Sequence, residues 1–180
     1  MATNYLGKSM ADTVHSIYER LYKVLCVHTK LNMLAMTTLQ SMGYNGFKRW
    51  HRCRSREFFE MKLCVRTELY DKFRIVANFS DSDISYSPMN MEEHLKTWDE
   101  VILEAIQELG QICKDYYETA GVSCDIAKRA MQIMMKDYEK VGRYLKRFTE
   151  SDWLTLDMHI IDDSLHSKYK EKEKEHGFEY

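Results

Sequence analysis

The sequence predicts an all-α protein: a bundle of four long helices with one long crossover connection and a short fifth helix near the C-terminal end. Three observations lead to this prediction. Apolar residues recur at helical spacing over four long segments. Helix breakers are rare, with one proline and seven glycines in 180 residues. One long segment without helical periodicity, 74–89, separates the second helix from the third.

Composition narrows the class of protein. The chain has 180 residues, which suits a single domain covering 1–180 with a sizeable core. A formal charge of −2 argues against a dedicated nucleic-acid binder, because such proteins carry a clear basic excess. No apolar run approaches the ~18 residues of a membrane span, and the first residues lack an apolar signal core. Five widely spaced cysteines without a CxxC pair indicate reduced thiols, so we expect a cytoplasmic protein without a membrane partner.

The first two predicted helices are joined by a tight turn. Apolar residues from Val14 to Leu39 follow one face of the first segment, and "GYNG" at 43–46 ends it. The second segment begins at Phe47 and continues with Trp50 on its inward face. A turn this short joins antiparallel neighbours.

The second half of the chain repeats this arrangement after the long connection. Asn90 is the expected N-cap of the third helix, with Glu93 as its return partner. Gly121 ends that helix, and "TESDW" at 149–153 separates the fourth helix from the fifth. The long connection allows the second and third helices to run parallel. The predicted helices span residues 12–42, 47–73, 90–119, 123–148 and 153–170, and residues 171–180 form a solvated tail.

This organisation resembles a ferritin-type subunit over most of the chain. Four long helices, the crossover after the second and the short fifth helix carry the resemblance, and "GYNGFKRWHR" at 43–52 is similar to the same region of bacterial ferritins and starvation-type mini-ferritins. The resemblance implies iron storage or detoxification, self-assembly into a homo-oligomeric hollow cage, and oxidation of ferrous iron by dioxygen or peroxide.

The resemblance also implies where a di-iron centre would lie. Such a centre takes a Glu from the first helix, a Glu-x-x-His pair from the second, and further ligands from the third and fourth. Aligning Phe47 and Trp50 with the family pattern places Phe58 and Met61 at the Glu and His positions. A shift of one residue offers Glu57 and Glu60 instead, although it rotates the helix face by about 100°.

Two further residues are candidate iron ligands. His28 lies on the apolar stripe of the first helix near the height of the family's Glu, and Asp137 lies at the corresponding depth of the fourth. An alternative is a buried polar cluster of His28, His51, Arg54, Glu57 and Asp137, in which Arg54 supplies the positive charge of the missing metal. A remodelled metal site, and a different inward face, are the other two interpretations.

The fifth helix carries a second candidate metal site. His159, Asp162 and His166 are spaced so that they share a helix face, which suits a transition metal. The alternative is a solvated helix face.

Assembly and function complete the expectations. We expect a symmetric oligomer, because the aromatic residues exceed what one bundle can bury. These are Tyr5, Tyr18, Tyr22, Trp153 and Tyr169. Besides iron storage, two other functions fit the pattern. One is a non-catalytic shell or interaction protein that keeps the fold without a di-iron centre, and the other is a helical enzyme or regulator that binds an organic ligand between its helices.

Overall fold

Five helices make up the regular structure of the chain. The computed structural model describes residues 8–81, 83–150 and 155–175, and these residues contain no strand. The helices are α1 (Lys8–Ser41), α2 (Asn45–Phe73), α3 (Met91–Ala120), α4 (Asp125–Glu150) and α5 (Thr155–Glu175). The predicted order of elements is confirmed, and α1 and α5 extend beyond their predicted bounds. Within the described residues, no helix combines the length and apolar character needed to cross a bilayer.

Contacts between side chains give the direction of each helix. α1 and α2 are antiparallel, since Thr29 lies opposite Ser55 and Tyr22 opposite Arg66. α2 and α3 run parallel, because the His51 ring contacts His94 near their beginnings and Phe73 contacts Tyr116 further along. The predicted crossover topology is therefore present.

Local signals end and begin the helices as expected. Gly43 and Gly121 adopt the left-handed conformation, with φ of 85° and 70°, which glycine reaches without a steric penalty. The Asn90 side chain accepts a hydrogen bond from the backbone N–H of Glu93 at 2.9 Å, and the Glu93 carboxylate accepts one from the Met89 N–H at 2.7 Å. The end of α2 is an exception, because Arg74 takes the left-handed conformation (φ 59°) without being a glycine.

The crossover joins α2 to α3, and its first part, residues 74–81, lies against the α1–α2 face. Phe79 is buried against Tyr22, with 5.0 Å between ring centroids. The Tyr22 hydroxyl donates to Asp81 at 3.1 Å, and the Arg66 guanidinium donates to the Phe79 carbonyl at 3.2 Å. These contacts hold an extended segment on the bundle.

Three of the five aromatic residues expected at a subunit interface are buried within the chain, so that expectation is wrong for them. Tyr18, Tyr22 and Tyr169 are buried within the single chain, at 0%, 3% and 1% exposure. Their burial needs no partner subunit, because the long helices and the crossover cover them. Tyr5 and Trp153 lie outside the described residues.

Helix α5 packs along the N-terminal half of α2. At Gly46 the two backbones are so close that an added Cβ would stand 1.8 Å from the Asp162 carbonyl oxygen. The predicted solvated tail from residue 171 is corrected in part, since α5 continues to Glu175. Glu173 is 6% exposed and pairs with Arg49 and Arg52 of α2. Residues 176–180 lie outside the described residues.

Candidate functional site

The interior of α2 is apolar where the resemblance places its iron ligands. Phe58 and Met61 are 2% and 4% exposed. The Phe58 ring lies edge-on to His28 of α1, with 5.9 Å between centroids. Burial lowers the pKa of His28 to about 4, so this imidazole is neutral near pH 7. His28 is therefore a buried, neutral imidazole that faces an aromatic ring.

Arg54 occupies the interior one turn before Phe58 and gathers two acidic residues around it. Its Nε donates to Asp137 Oδ2 at 2.5 Å, and its Nη2 donates to Asp137 Oδ1 at 2.8 Å. Its Nη1 donates to Glu57 at 2.5 Å. Arg54 and Asp137 are 8% and 4% exposed. We call Arg54, Glu57 and Asp137 the Arg54 cluster.

The electrostatics of the Arg54 cluster favour permanent charge on the guanidinium. Burial lowers the pKa of Arg54, but its hydrogen bonds and its attraction to Asp137 together raise the pKa by a larger amount, so the net shift is upward. Lys140 lies 4.0 Å from Asp137, and burial lowers the pKa of this amine to about 8. Its ammonium also lies 4.5 Å from the centroid of the Trp50 ring. Asp137 thus has two cationic neighbours.

Two other candidate residues, His51 of the predicted polar cluster and Glu60 of the shifted register, lie outside the Arg54 cluster. His51 does not contact Arg54 through a hydrogen bond; its ring bonds Asn32 and His94. Glu60 points outward, with 61% of its side chain exposed, and pairs with Arg56 one turn earlier at 3.2 Å. Of the two carboxylates offered by the shifted register, only Glu57 reaches the interior, and it does so with 35% of its side chain exposed.

A buried chain of hydrogen bonds was missed by the sequence analysis. It links Asn32 of α1, His51 of α2, His94 of α3 and Tyr86 of the crossover, and we call it the His51–His94 chain. Asn32, His51 and His94 are at most 1% exposed. The signal for His94 was available, since it stands one turn before Trp98 on the apolar face of α3. Nothing in the spacing pointed to Tyr86.

The fifth-helix candidates are distributed along the contact between α2 and α5. Asp162 Oδ1 accepts a hydrogen bond from the backbone N–H of Phe47 at 2.8 Å, which caps the first turn of α2. His166 Nδ1 accepts from Arg49 Nε at 3.3 Å. His159 stacks on Tyr44, with centroids 5.1 Å apart and planes 15° apart. Each of the three thus contacts a residue of the α1–α2 turn or of α2.

The donor set of the interior does not fit a di-iron centre. A guanidinium occupies both oxygens of Asp137 and one of Glu57, and side chains without hard oxygen donors stand at the Glu and His positions of α2. Among the residues that the structure describes, no three His, Cys, Asp or Glu side chains converge as a metal site would need. The single positive charge of Arg54 pairs with the carboxylates of Asp137 and Glu57.

Comparison with known proteins identifies the fold of this chain. No family model matches the sequence, and no curated protein matches it significantly. Two solved structures of a novel open pore ferritin from the hyperthermophilic archaeon Archaeoglobus fulgidus are similar to it, with TM-scores of 0.70 and 0.68. Each is 9% identical and covers 89% of this chain, which in turn covers 97% and 98% of those chains. The chain therefore has the ferritin-like fold, a helical bundle with an additional C-terminal helix.

Proposed function

We propose that this protein is a self-assembling shell subunit with the ferritin-like fold, in which an internal arginine replaces the di-iron centre. The observation that carries the proposal is the buried guanidinium of Arg54, bound by Asp137 through two hydrogen bonds and by Glu57 through a third. A ferroxidase needs open coordination positions on metal-bound carboxylates, whereas these carboxylates are already paired.

Assembly is supported by an apolar stripe on the outside of α2. Phe59, Leu63 and Tyr70 are 44%, 50% and 50% exposed. Their spacing of four and seven residues places them on one face of the helix. Exposed aromatic and aliphatic residues that share a face mark protein–protein contacts. We propose that copies of this chain associate through this stripe.

Iron storage is a second candidate, and the likeness to an archaeal protein named as a ferritin favours it. In this version the assembled particle holds iron, and oxidation depends on dioxygen in solution or on surface carboxylates. The candidate ligands are then the partly exposed Glu57 and Glu60 of α2, and His159, Asp162 and His166 on α5. His28 and Asp137 are excluded, since they lie against Phe58 and Arg54. For the group on α5, His166→Ala should remove a zinc-dependent rise in melting temperature, and an identical rise in the variant would exclude it.

Particle size and iron chemistry separate the candidates. Light scattering at micromolar concentration should give a mass several times 21.5 kDa. Ferrous oxidation should proceed at the rate of buffer alone, and the isolated particle should contain no stoichiometric iron. A 21.5 kDa particle would reject assembly. Rapid, saturable ferrous oxidation would reject the arginine-for-metal replacement, and an iron-filled particle without such oxidation would support the second candidate.

Matched variants test the proposed interface. Leu63→Asp places a charge in the α2 stripe and should shift the particle to smaller species. The melting temperature of the isolated subunit should not change. Leu103→Asp is the control, since Leu103 is 38% exposed on α3, outside the stripe. If both variants assemble like the parent protein, the stripe is not the interface.

A further inference from the structure

Tyr86 of the crossover ends a continuous path of hydrogen bonds that reaches through the bundle. Its hydroxyl bonds His94 Nδ1, and His94 Nε2 lies 3.2 Å from His51 Nε2. His51 Nδ1 lies 2.8 Å from the Asn32 side-chain oxygen, and the Asn32 amide nitrogen donates to the His28 carbonyl at 2.7 Å. Helices α1, α2 and α3 and the crossover each contribute one side chain.

The last bond determines the direction of every other bond in the path. Because the Asn32 nitrogen donates to a carbonyl, its oxygen faces His51 and must accept. His51 Nδ1 therefore carries a proton, and its Nε2 offers a lone pair, since burial keeps the pKa of His51 well below the ordinary value. His94 Nε2 then donates to that lone pair, which leaves His94 Nδ1 as an acceptor. Tyr86 is consequently the donor to His94.

This arrangement joins an oxidisable phenol to a base that can take its proton. We propose that Tyr86 is a redox-active tyrosine, with His94 as its internal proton acceptor and His51 as the next base in line. Oxidants of the one-electron class, such as peroxyl or ferryl species, would take the electron at the surface of the crossover. The inference is independent of the proposed shell function.

The step balances within the path. One electron leaves the Tyr86 ring for the oxidant, which is reduced by one electron. At the same time the phenolic O–H bond breaks and a N–H bond forms at His94 Nδ1, giving a neutral tyrosyl radical and an imidazolium. Burial lowers the pKa of His94, so His94 takes this proton only together with loss of the electron, which makes the phenol strongly acidic. His94 can pass its Nε2 proton to His51 Nε2, which moves the positive charge one residue further inward. A one-electron reductant of the thiol or ascorbate class restores the phenol, and the protons return.

The surroundings of Tyr86 suit this role. Its side chain is half-buried, so part of the ring is accessible to a dissolved oxidant, while His94 is fully buried. Burial raises the pKa of Tyr86, so loss of the proton to water is disfavoured and the bond to His94 is the available route. Trp98 lies edge-on to Tyr86 at 5.8 Å and stacks with His94 at 5.6 Å. The radical would thus form against aromatic rings, sheltered from most of the solvent.

Site-resolved radical trapping tests the proposal. The full-length protein is oxidised with a photogenerated ruthenium(III) polypyridyl complex in the presence of a spin trap, and trapped tyrosines are located by peptide mass spectrometry. Tyr117, which is 63% exposed, is the internal reference. Tyr86 should be trapped at least as efficiently as Tyr117 despite its lower exposure. In His94→Phe, the ratio of Tyr86 to Tyr117 should fall about 100-fold, the lower end of what a positioned base contributes.

A purely structural role for the path predicts a different outcome. His94→Phe would then lower the melting temperature and leave the trapping ratio unchanged in the folded variant, which would overturn the proposal. Should the variant fail to fold, the unmodified protein decides the question. Oxidation of Tyr86 should be independent of buffer-base concentration because its acceptor is internal, whereas oxidation of Tyr117 should accelerate with it. Equal dependence at both tyrosines would overturn the proposal as well.

Discussion

Replacing Arg54 with methionine tests whether an internal arginine holds the bundle together. The change removes three hydrogen bonds and leaves the carboxylate of Asp137 in an interior where it is 4% exposed. Breaking a buried pair by removing one partner costs ~3–5 kcal/mol. Lys140 lies 4.0 Å from Asp137 and offsets part of this cost, so we expect a loss of about 3 kcal/mol in the free energy of unfolding. Urea titration followed by circular dichroism measures it.

A second variant separates a stranded charge from lost packing. In Arg54→Met with Asp137→Leu, no buried charge remains unpaired, and apolar replacement of buried pairs is often neutral or stabilising by ~1–4 kcal/mol. The double variant should therefore recover most of the stability that the single variant loses. The control is Arg56→Met, which removes an exposed pair with Glu60 and should cost at most ~0.5 kcal/mol. An Arg54→Met variant as stable as Arg56→Met, or a double variant no better than the single, would refute the reasoning.

Two further predictions follow from burial and close approach. Burial lowers the pKa of His28 to about 4 and of His94 to about 3. Between pH 6.5 and these values, both histidines are protonated in the unfolded chain and neutral in the folded chain. Stability present above pH 6.5 should therefore be lost as the pH falls, by on the order of 3 kcal/mol per histidine at pH 4, and acid titration of His94→Phe should show a shallower loss. Gly46→Ala should displace α5 and lower the free energy of unfolding by ~1–3 kcal/mol, because the new Cβ would meet backbone atoms of Asp162. Gly110→Ala is the control, because a Cβ at that position meets nothing within 4 Å. This variant should gain up to ~1 kcal/mol in the free energy of unfolding. Faster hydrogen exchange in residues 155–175 should appear only in the Gly46 variant.

The helical bundle could be predicted from the sequence because hydrophobic periodicity and helix-end residues are local signals. Gly121 and Asn90 each determine a boundary through their own backbone or side chain, so their roles could be predicted without a structure. The pairing of Arg54 with Asp137 could be proposed for a related reason, since a buried guanidinium demands an acidic neighbour.

The contacts of the candidate site depend on which helices approach each other, and residue spacing along the chain does not contain that information. Asp162 was considered a metal ligand because it shares a helix face with two histidines, whereas in the structure it bonds a backbone amide far away in the chain. Tyr86 lies in a segment without periodicity, so its bond to His94 had no sequence signature. Tyr18, Tyr22 and Tyr169 were expected at an interface for the same reason, because a count of aromatic residues does not show how many of them the helices and the crossover cover.

The bond between Asp162 and Phe47 has a consequence for the order in which the chain is made. Residue 162 leaves the ribosome 115 residues after the amide it caps. Until residue 162 has been made, the first turn of α2 is therefore without this acceptor, and the first turn of α2 in the nascent α1–α2 hairpin is expected to fray. The first turn of α2 gains this acceptor only when α5 has been synthesised and packs over Gly46 and Arg49. The stability of the start of α2 is therefore coupled to the docking of a helix that is made much later.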